Sequence, residues 1–208
     1  MLARPLMIAV ATLATPMAWG RTGDHASRTP VQTVSAPHAR TGARAHPELA
    51  WAQARSLIEA SRREGHKKGQ TLVFSGKRVH ILVVASSPHH PDMSFAAGGL
   101  TNPAITVATG ALVTITLLNA DFGAGMTHSL VITKTAPPYP ARPTQLRGAI
   151  ARLPSLPPRS SLRLAQARYA QTSIQFVAHR TGTYYYICTV PGHAMAFHMY
   201  GRFLVARP

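Results

Sequence analysis

Apolar positions recur with two different periods along this chain. From about Pro47 to Glu64 the small and apolar residues Ala50, Trp51, Ala54, Leu57, Ile58 and Ser61 fall on one side, with Arg55, Glu59, Arg62 and Arg63 opposite. That spacing predicts an amphipathic helix, with Trp51 as the anchor that docks it on the domain behind. Pro47 suits the first helical position, where a missing N–H costs nothing, and Gly65 suits the stop.

After Gly69 the period shortens. Thr71–Phe74, Val79–Ala85, Leu112–Asn119, Ser129–Thr133, Ser173–Val177, Thr183–Cys188 and Tyr200–Val205 are short β-branched or aromatic runs bounded by Gly, Pro or Asn. Such a succession predicts an antiparallel β-sandwich or barrel. The Pro-rich stretch from Ala136 to Pro158 interrupts it and reads as a long surface excursion. No internal repeat is visible.

The first 20 residues read as a secretory leader: Arg4 gives a positive start, Leu6–Leu13 is too short to span a bilayer, and Ala18-Trp19-Gly20 offers small residues for cleavage. Residues 21–46 are rich in Ser, Thr, Arg, His, Ala and Pro without apolar period, the composition of a flexible tether. The expected organisation is therefore leader 1–20, tether 21–46, helix 47–69 and a β domain over 70–208, with no integral membrane span once the leader is removed.

Charge changes the picture less than its size suggests. The 208 residues hold 22 Lys and Arg against 6 Asp and Glu, a net charge of +16. Such an excess suits a polyanion, yet Arg142, Arg147, Arg152, Arg159, Arg163 and Arg168 are spaced singly, beside no nucleic-acid-binding pattern. Nucleic acid is not expected as a partner. Between Gln70 and Pro208 the only acids are Asp92 and Asp121. Acid denaturation comes mainly from protonating paired carboxylates, so this scarcity points to tolerance of acid.

The one cysteine of this chain, Cys188, cannot form an internal disulfide. In an exported protein such a thiol is reactive, paired between chains, or a metal ligand. Cys188 stands at a strand end, His193 follows five residues on across Pro191-Gly192, and Met199 six residues later. Sixty residues upstream of Cys188, His128 stands between a Gly-rich loop and a strand. Two imidazoles, a thiolate and a weak axial thioether are the ligand set of a blue-copper electron-transfer site. Zinc accepts two His and a Cys, but leaves Met199 unexplained, with Asp121 the only nearby candidate for a base. A Cys–His nucleophile pair lacks an obvious third group to orient the base.

Gly182-Thr-Tyr-Tyr-Tyr-Ile-Cys-Thr-Val-Pro-Gly-His-Ala194, Met199-Tyr-Gly201 and Thr127-His-Ser-Leu-Val-Ile-Thr-Lys134 resemble the cupredoxins, and among them the rusticyanin-like sequences. The likeness runs from about Thr71 to Val205 and takes in the preceding helix. It implies an antiparallel Greek-key β-sandwich with an N-terminal helical extension, holding one type-1 copper on His128, Cys188, His193 and Met199. It further implies a periplasmic carrier of single electrons in a respiratory chain, often of acidophiles that oxidise iron or sulfur. Ser129 matches the residue that helps tie the two copper loops together. One departure is plain: such sequences place four residues between the second His and the axial Met, whereas five separate His193 from Met199 here. Met199 remains the expected axial donor, with a bulge among Ala196, Phe197 and His198; His198 is the next candidate.

The remaining histidines, His80, His89, His90 and His179, read as surface or turn residues. Pro191, Met195 and Phe197 around His193 suggest an apolar collar for a redox partner, expected to be a c-type cytochrome or a terminal oxidase subunit meeting a monomer. An enzyme is not expected. A periplasmic copper chaperone or storage protein is the alternative function, but the enclosed four-donor pattern argues against it. A multicopper oxidase would need His-x-His pairs, and this chain has none.

Overall fold

The computed structural model describes residues 46–208. The expected leader, and the tether up to residue 45, lie outside the described residues. The described chain opens with a short strand, β1 (Glu48–Ala50), that runs directly into helix α1 (Trp51–Ser61). Strands β2 (His66–Lys68), β3 (Thr71–Phe74), β4 (Arg78–Ala85), β5 (Phe95–Ala97), β6 (Leu100–Thr101), β7 (Ala104–Ala108) and β8 (Leu112–Asn119) follow. Then come β9 (His128–Thr133), β10 (Ala151–Leu156), β11 (Arg168–Val177), β12 (Gly182–Ile187), a helical turn α2 (His193–Ala196) and β13 (Tyr200–Ala206).

Two sheets form the sandwich, one in the order β1-β11-β8-β4-β5-β6 and one in the order β10-β9-β12-β13-β7-β3-β2. Most neighbours are antiparallel, as expected, but β4 with β8, β3 with β7, and β7 with β13 are parallel. Leu72, Ile105, Val107, Val113, Ile115, Leu117, Leu130, Ile132, Tyr184, Tyr186 and Phe203 fill the space between the sheets.

Strand β4 shows how the layers read back onto the sequence. Ile81, Val83 and Ala85 face the inter-sheet core, whereas Leu82 and Val84 join a second cluster with Ala54 of the helix, Leu118 and Tyr169. A strand covered on both faces loses its polar alternation, which accounts for the unbroken run Ile81-Leu-Val-Val-Ala85. Trp51 supplies the expected anchor, its ring lying 5.5 Å from that of Tyr169.

Two expectations need correction. The helix begins at Trp51 rather than Pro47, because Glu48–Ala50 pair with β11 from Glu48↔Ala170 to Ala50↔Arg168. The Gln53 side chain then accepts the Ala50 N–H at 2.9 Å, satisfying a donor that the helix start would otherwise orphan. It ends at Ser61, and Leu57 on the expected inner face is 40% exposed. Nor is the Pro-rich stretch wholly a surface excursion. Within it β10 pairs with β9 and buries Ala151, Leu153 and Leu156. Pro154 is tolerated because β10 is an edge strand whose register shifts between Leu153 and Leu156.

The start of β13 depends on one close approach. Gly201 lies opposite Tyr186, whose fully buried hydroxyl donates to the Pro103 carbonyl at 2.6 Å. A Cβ at position 201 would overlap the tyrosine ring and hydroxyl, and that ring is buried with its hydroxyl held, so it cannot move aside cheaply. Gly201→Ala is therefore expected to cost about 1–3 kcal/mol, the usual penalty of overpacking. Urea denaturation measures it, and truncating Tyr186 to Leu in the same chain should make the Gly201→Ala step cheaper.

Candidate metal centre

The strand order brings three separated segments to one end of the sandwich. β12 lies between β9 and β13, pairing Ile187 with Val131 on one side and with Tyr200 on the other. Cys188 is the next residue out, and its N–H donates to the Met199 carbonyl at 3.0 Å. On the other side Ser129, next to His128, bridges to the Cys188 segment. Its Oγ lies 2.7 Å from Thr189 Oγ1, accepts the Thr189 N–H at 3.0 Å and stands 4.0 Å from Cys188 Sγ. The tying role expected of Ser129 has a concrete form in these contacts.

Past Cys188 the chain turns through Gly192, at φ +84, into α2. The Gly192 N–H is held by the Ala141 carbonyl at 2.7 Å, so the Pro-rich stretch braces this turn. The interval to Met199 runs through the helical turn His193–Ala196 and then through His198, at φ +53, inside the Ala196–His198 stretch where a bulge is expected. The Met199 N–H returns to the His193 carbonyl at 3.2 Å.

Three donors converge in the interior. The Nδ1 atoms of His128 and His193 stand 3.9 and 3.4 Å from Cys188 Sγ, and one ligand atom from each residue lies within 4.8 Å of the others. A metal bound at about 2.3 Å to sulfur and 2.0 Å to nitrogen at trigonal angles would separate S from N by about 3.7 Å. The two observed separations bracket that spacing, so the residues fit a small transition-metal ion. A soft thiolate beside two imidazoles suits copper in both oxidation states. Among the described residues no other group of three His, Cys or carboxylate side chains is gathered in this way.

His128, Cys188 and Met199 are fully buried, and His193 is 6% exposed. Met195, by contrast, is half-exposed, and the His198 side chain is exposed, its Nδ1 3.5 Å from Tyr200 Oη. Of Met195, His198 and Met199, the three residues of this loop with a sulfur or imidazole donor beyond His193, only Met199 is buried. Phe197 and Met195 are exposed beside His193, with the Phe197 ring edge-on to the imidazole at 6.5 Å. His80, His89 and His179 are exposed, and His90 bonds to Thr101 Oγ1 at 2.8 Å.

Burial sets the electrostatics. It pushes the Cys188 thiol up, against backbone hydrogen bonds from Ser129 and Val190 and the Ser129 side chain, which pull it down. It pushes the His128 imidazole below 6.5 despite the opposing bond and charge of Asp121. His193 is lowered chiefly by burial and further by His128. Asp121, which the sequence offers as a base for a zinc site, instead accepts from His128 Nε2 through its Oδ2 at 2.7 Å. The available signal was an acid, rare in this domain, on the loop that leads into His128.

No protein-family model matches the chain. Rusticyanin of Acidithiobacillus ferrooxidans is 34% identical over 142 residues, covering 68% of this chain and 84% of the relative. Rusticyanin of Acidithiobacillus ferridurans is 35% identical over 155 residues, covering 74% of this chain and 75% of the relative. Among solved structures, rusticyanin from Thiobacillus ferrooxidans at 1.27 Å superposes with a TM-score of 0.68 at 30% identity, over 78% of this chain and 97% of that one. A structure of reduced rusticyanin at 1.9 Å gives the same TM-score at 31% identity, over 78% of this chain and 100% of that one. This likeness, together with the gathered His128, Cys188 and His193, supports one type-1 copper site. At this identity over this share of its length, the chain belongs to the rusticyanin family of cupredoxins, blue copper proteins that transfer electrons.

Proposed function

We propose that this chain is a periplasmic single-electron carrier of a respiratory chain, with copper held by His128 Nδ1, Cys188 Sγ, His193 Nδ1 and Met199 Sγ. The observation that carries the reading is the convergence of both Nδ1 atoms on a fully buried Cys188 sulfur. Copper bound there supplies a one-electron couple. The chain's own part is to hold the donors still. A backbone hydrogen bond just beyond the β12–β13 ladder ties Cys188 to Met199, Ser129 clamps the Cys188 segment, and α2 seats His193. A donor set that suits both oxidation states without rearrangement keeps the cost of electron arrival small.

His193 is the proposed ligand that reaches the surface, and exposed Met195 and Phe197 frame it as an apolar contact for a c-type cytochrome or an oxidase subunit. A basic protein would be steered toward an acidic partner. No helix among the described residues is long and apolar enough to cross a membrane. Export rests on the leader-like residues 1–20, and the chain is expected to act as a monomer.

The visible and electron-paramagnetic spectra of the copper-loaded protein test the site. A strong thiolate-to-copper band with narrow hyperfine splitting is expected, and Cys188→Ser should abolish it while leaving the sandwich folded. Survival of the colour in that variant would remove the assignment. For the axial position, Met199→Leu should shift both spectrum and potential, whereas Met195→Leu and His198→Ala should leave them nearly unchanged. The reverse pattern would place the fourth donor on His198.

Acid stability should depend on the metal. In protein stripped of metal, His128 and His193 have folded-state pKa values below the ordinary 6.5. The unfolded chain then takes up protons first, so the stability these residues contribute is complete above about pH 6.5 and is lost as pH falls through their folded values. With metal bound, protons must displace it before they can act. Thermal midpoints measured from pH 7 to pH 3 should fall further for the stripped protein than for the copper form; parallel curves would count against the histidine ligands.

A further inference from the structure

Asp121 is set in the fold with more care than a loop residue needs. The Nε2–Oδ2 distance to His128 is 2.7 Å, at the short end for a charge-assisted bond. His128 is fully buried and Asp121 is 8% exposed, so little solvent screens the pair and the hydrogen bond is electrostatically strong. The remaining capacity of the carboxylate is also engaged. Ser86 Oγ donates to Oδ2 at 2.9 Å, and the Phe122 N–H donates to Oδ1 at 2.7 Å. Three donors on two oxygens demand a carboxylate, because an amide would turn its NH2 group against one of them.

The supports around it come from separate elements. Ser86 follows the end of β4 at φ +48, a conformation uncommon for a residue with a side chain, and its hydroxyl also accepts the Met93 N–H at 3.2 Å. Asn119, the last residue of β8, accepts the Asp121 N–H through Oδ1 at 3.0 Å. Its Nδ2 donates to the carbonyls of Met126, Leu156 and Pro157, each at 3.0 Å. The Arg159 N–H holds the Asp121 carbonyl at 2.8 Å. No Lys or Arg nitrogen among the described residues lies within 4.0 Å of the carboxylate. The Arg159 guanidinium goes instead to the carbonyls of Ala120, Ser161 and Leu162. In a chain of net charge +16, this carboxylate is turned to an imidazole.

We propose that Asp121 is a positioning residue of the copper site that fixes the tautomer of His128 and sets the reduction potential through it. By holding Nε2–H, the carboxylate leaves the Nδ1 lone pair aimed at the point shared with Cys188 and His193. Its charge makes the imidazole a stronger electron donor, which favours the oxidised ion and holds the potential lower than a neutral acceptor would. Ser86 tempers this, since the hydroxyl draws on the same Oδ2 oxygen. The inference rests on the copper reading, but its first consequence, the tautomer, is a property of the polypeptide.

The test uses the full chain as wild type and as Asp121→Asn, Asp121→Ala and Ser86→Ala. Nitrogen-15 NMR of the metal-free proteins should find His128 as the Nε2–H tautomer in wild type and as a mixture in Asp121→Ala. In the copper forms, Asp121→Asn should weaken Cu(II) binding about 10–100-fold, the usual cost of losing an outer-shell partner, with Cu(I) binding less affected. A tenfold change in that ratio raises the potential by about 59 mV for one electron. Ser86→Ala should move the potential in the opposite direction and reads out the same charge even if both Asp121 variants fail to fold. An unchanged tautomer in Asp121→Ala overturns the positioning role. An unchanged potential in Asp121→Asn, or a raised one in Ser86→Ala, overturns the tuning role. Absence of the intense visible band from wild type would instead sink the copper reading and leave the tautomer result standing.

Discussion

The position of β12 between β9 and β13 is the constraint on which the metal centre depends. Both neighbours run antiparallel to it, so the start of β9, the far end of β12 and the approach to β13 must meet at one end of the sheet. Ladder geometry therefore assembles the donors, and no attraction among them is required. Left to themselves a thiol and two imidazoles would stay hydrated, because burying polar groups costs free energy. The directions in which burial moves Cys188, His128 and His193 are the signature of that opposition. The packed strands on either side, through Leu130, Ile132, Tyr184, Tyr186 and Phe203, supply the stabilisation that overrides it.

Much of the fold was legible because burial on one face or two leaves different marks. The β-branched run of β4, the alternation of β8 and the aromatic sequence of β12 each read as strand. What escaped was short or disguised. The edge strand β10 carries Pro154 and sits in a stretch dominated by proline, so local composition pointed away from a ladder that only the partner β9 makes possible. Residues Glu48–Ala50 fitted a helical face equally well. Their capture by β11 depends on a segment more than a hundred residues away, which no local period can announce.

The site was more legible than the sheets around it. Cys188, His193 and Met199 lie close in sequence, their spacing is set by a turn, and their chemistry has few other uses. His128 was recoverable from its place between a glycine-rich loop and a strand. Asp121 was not recoverable as a partner of His128. A loop of six residues from Phe122 to Thr127 separates them, and whether such a loop returns a carboxylate to the imidazole is decided by Asn119 and Ser86, which hold it from outside. A sequence lists acids and histidines but does not say which way a loop closes.

That His193 alone among the four proposed ligands retains any exposed surface has a kinetic consequence. A partner seated over that edge lies nearer the proposed metal position than one docked where only buried ligands stand behind the surface. If the supplier and the acceptor of the electron both use it, they occupy it in turn, and each cycle then contains two complete separations. Its tempo would then be limited by how readily the apolar rim of Met195 and Phe197 lets go, and a partner that gripped this rim tightly would slow the traffic it was meant to serve.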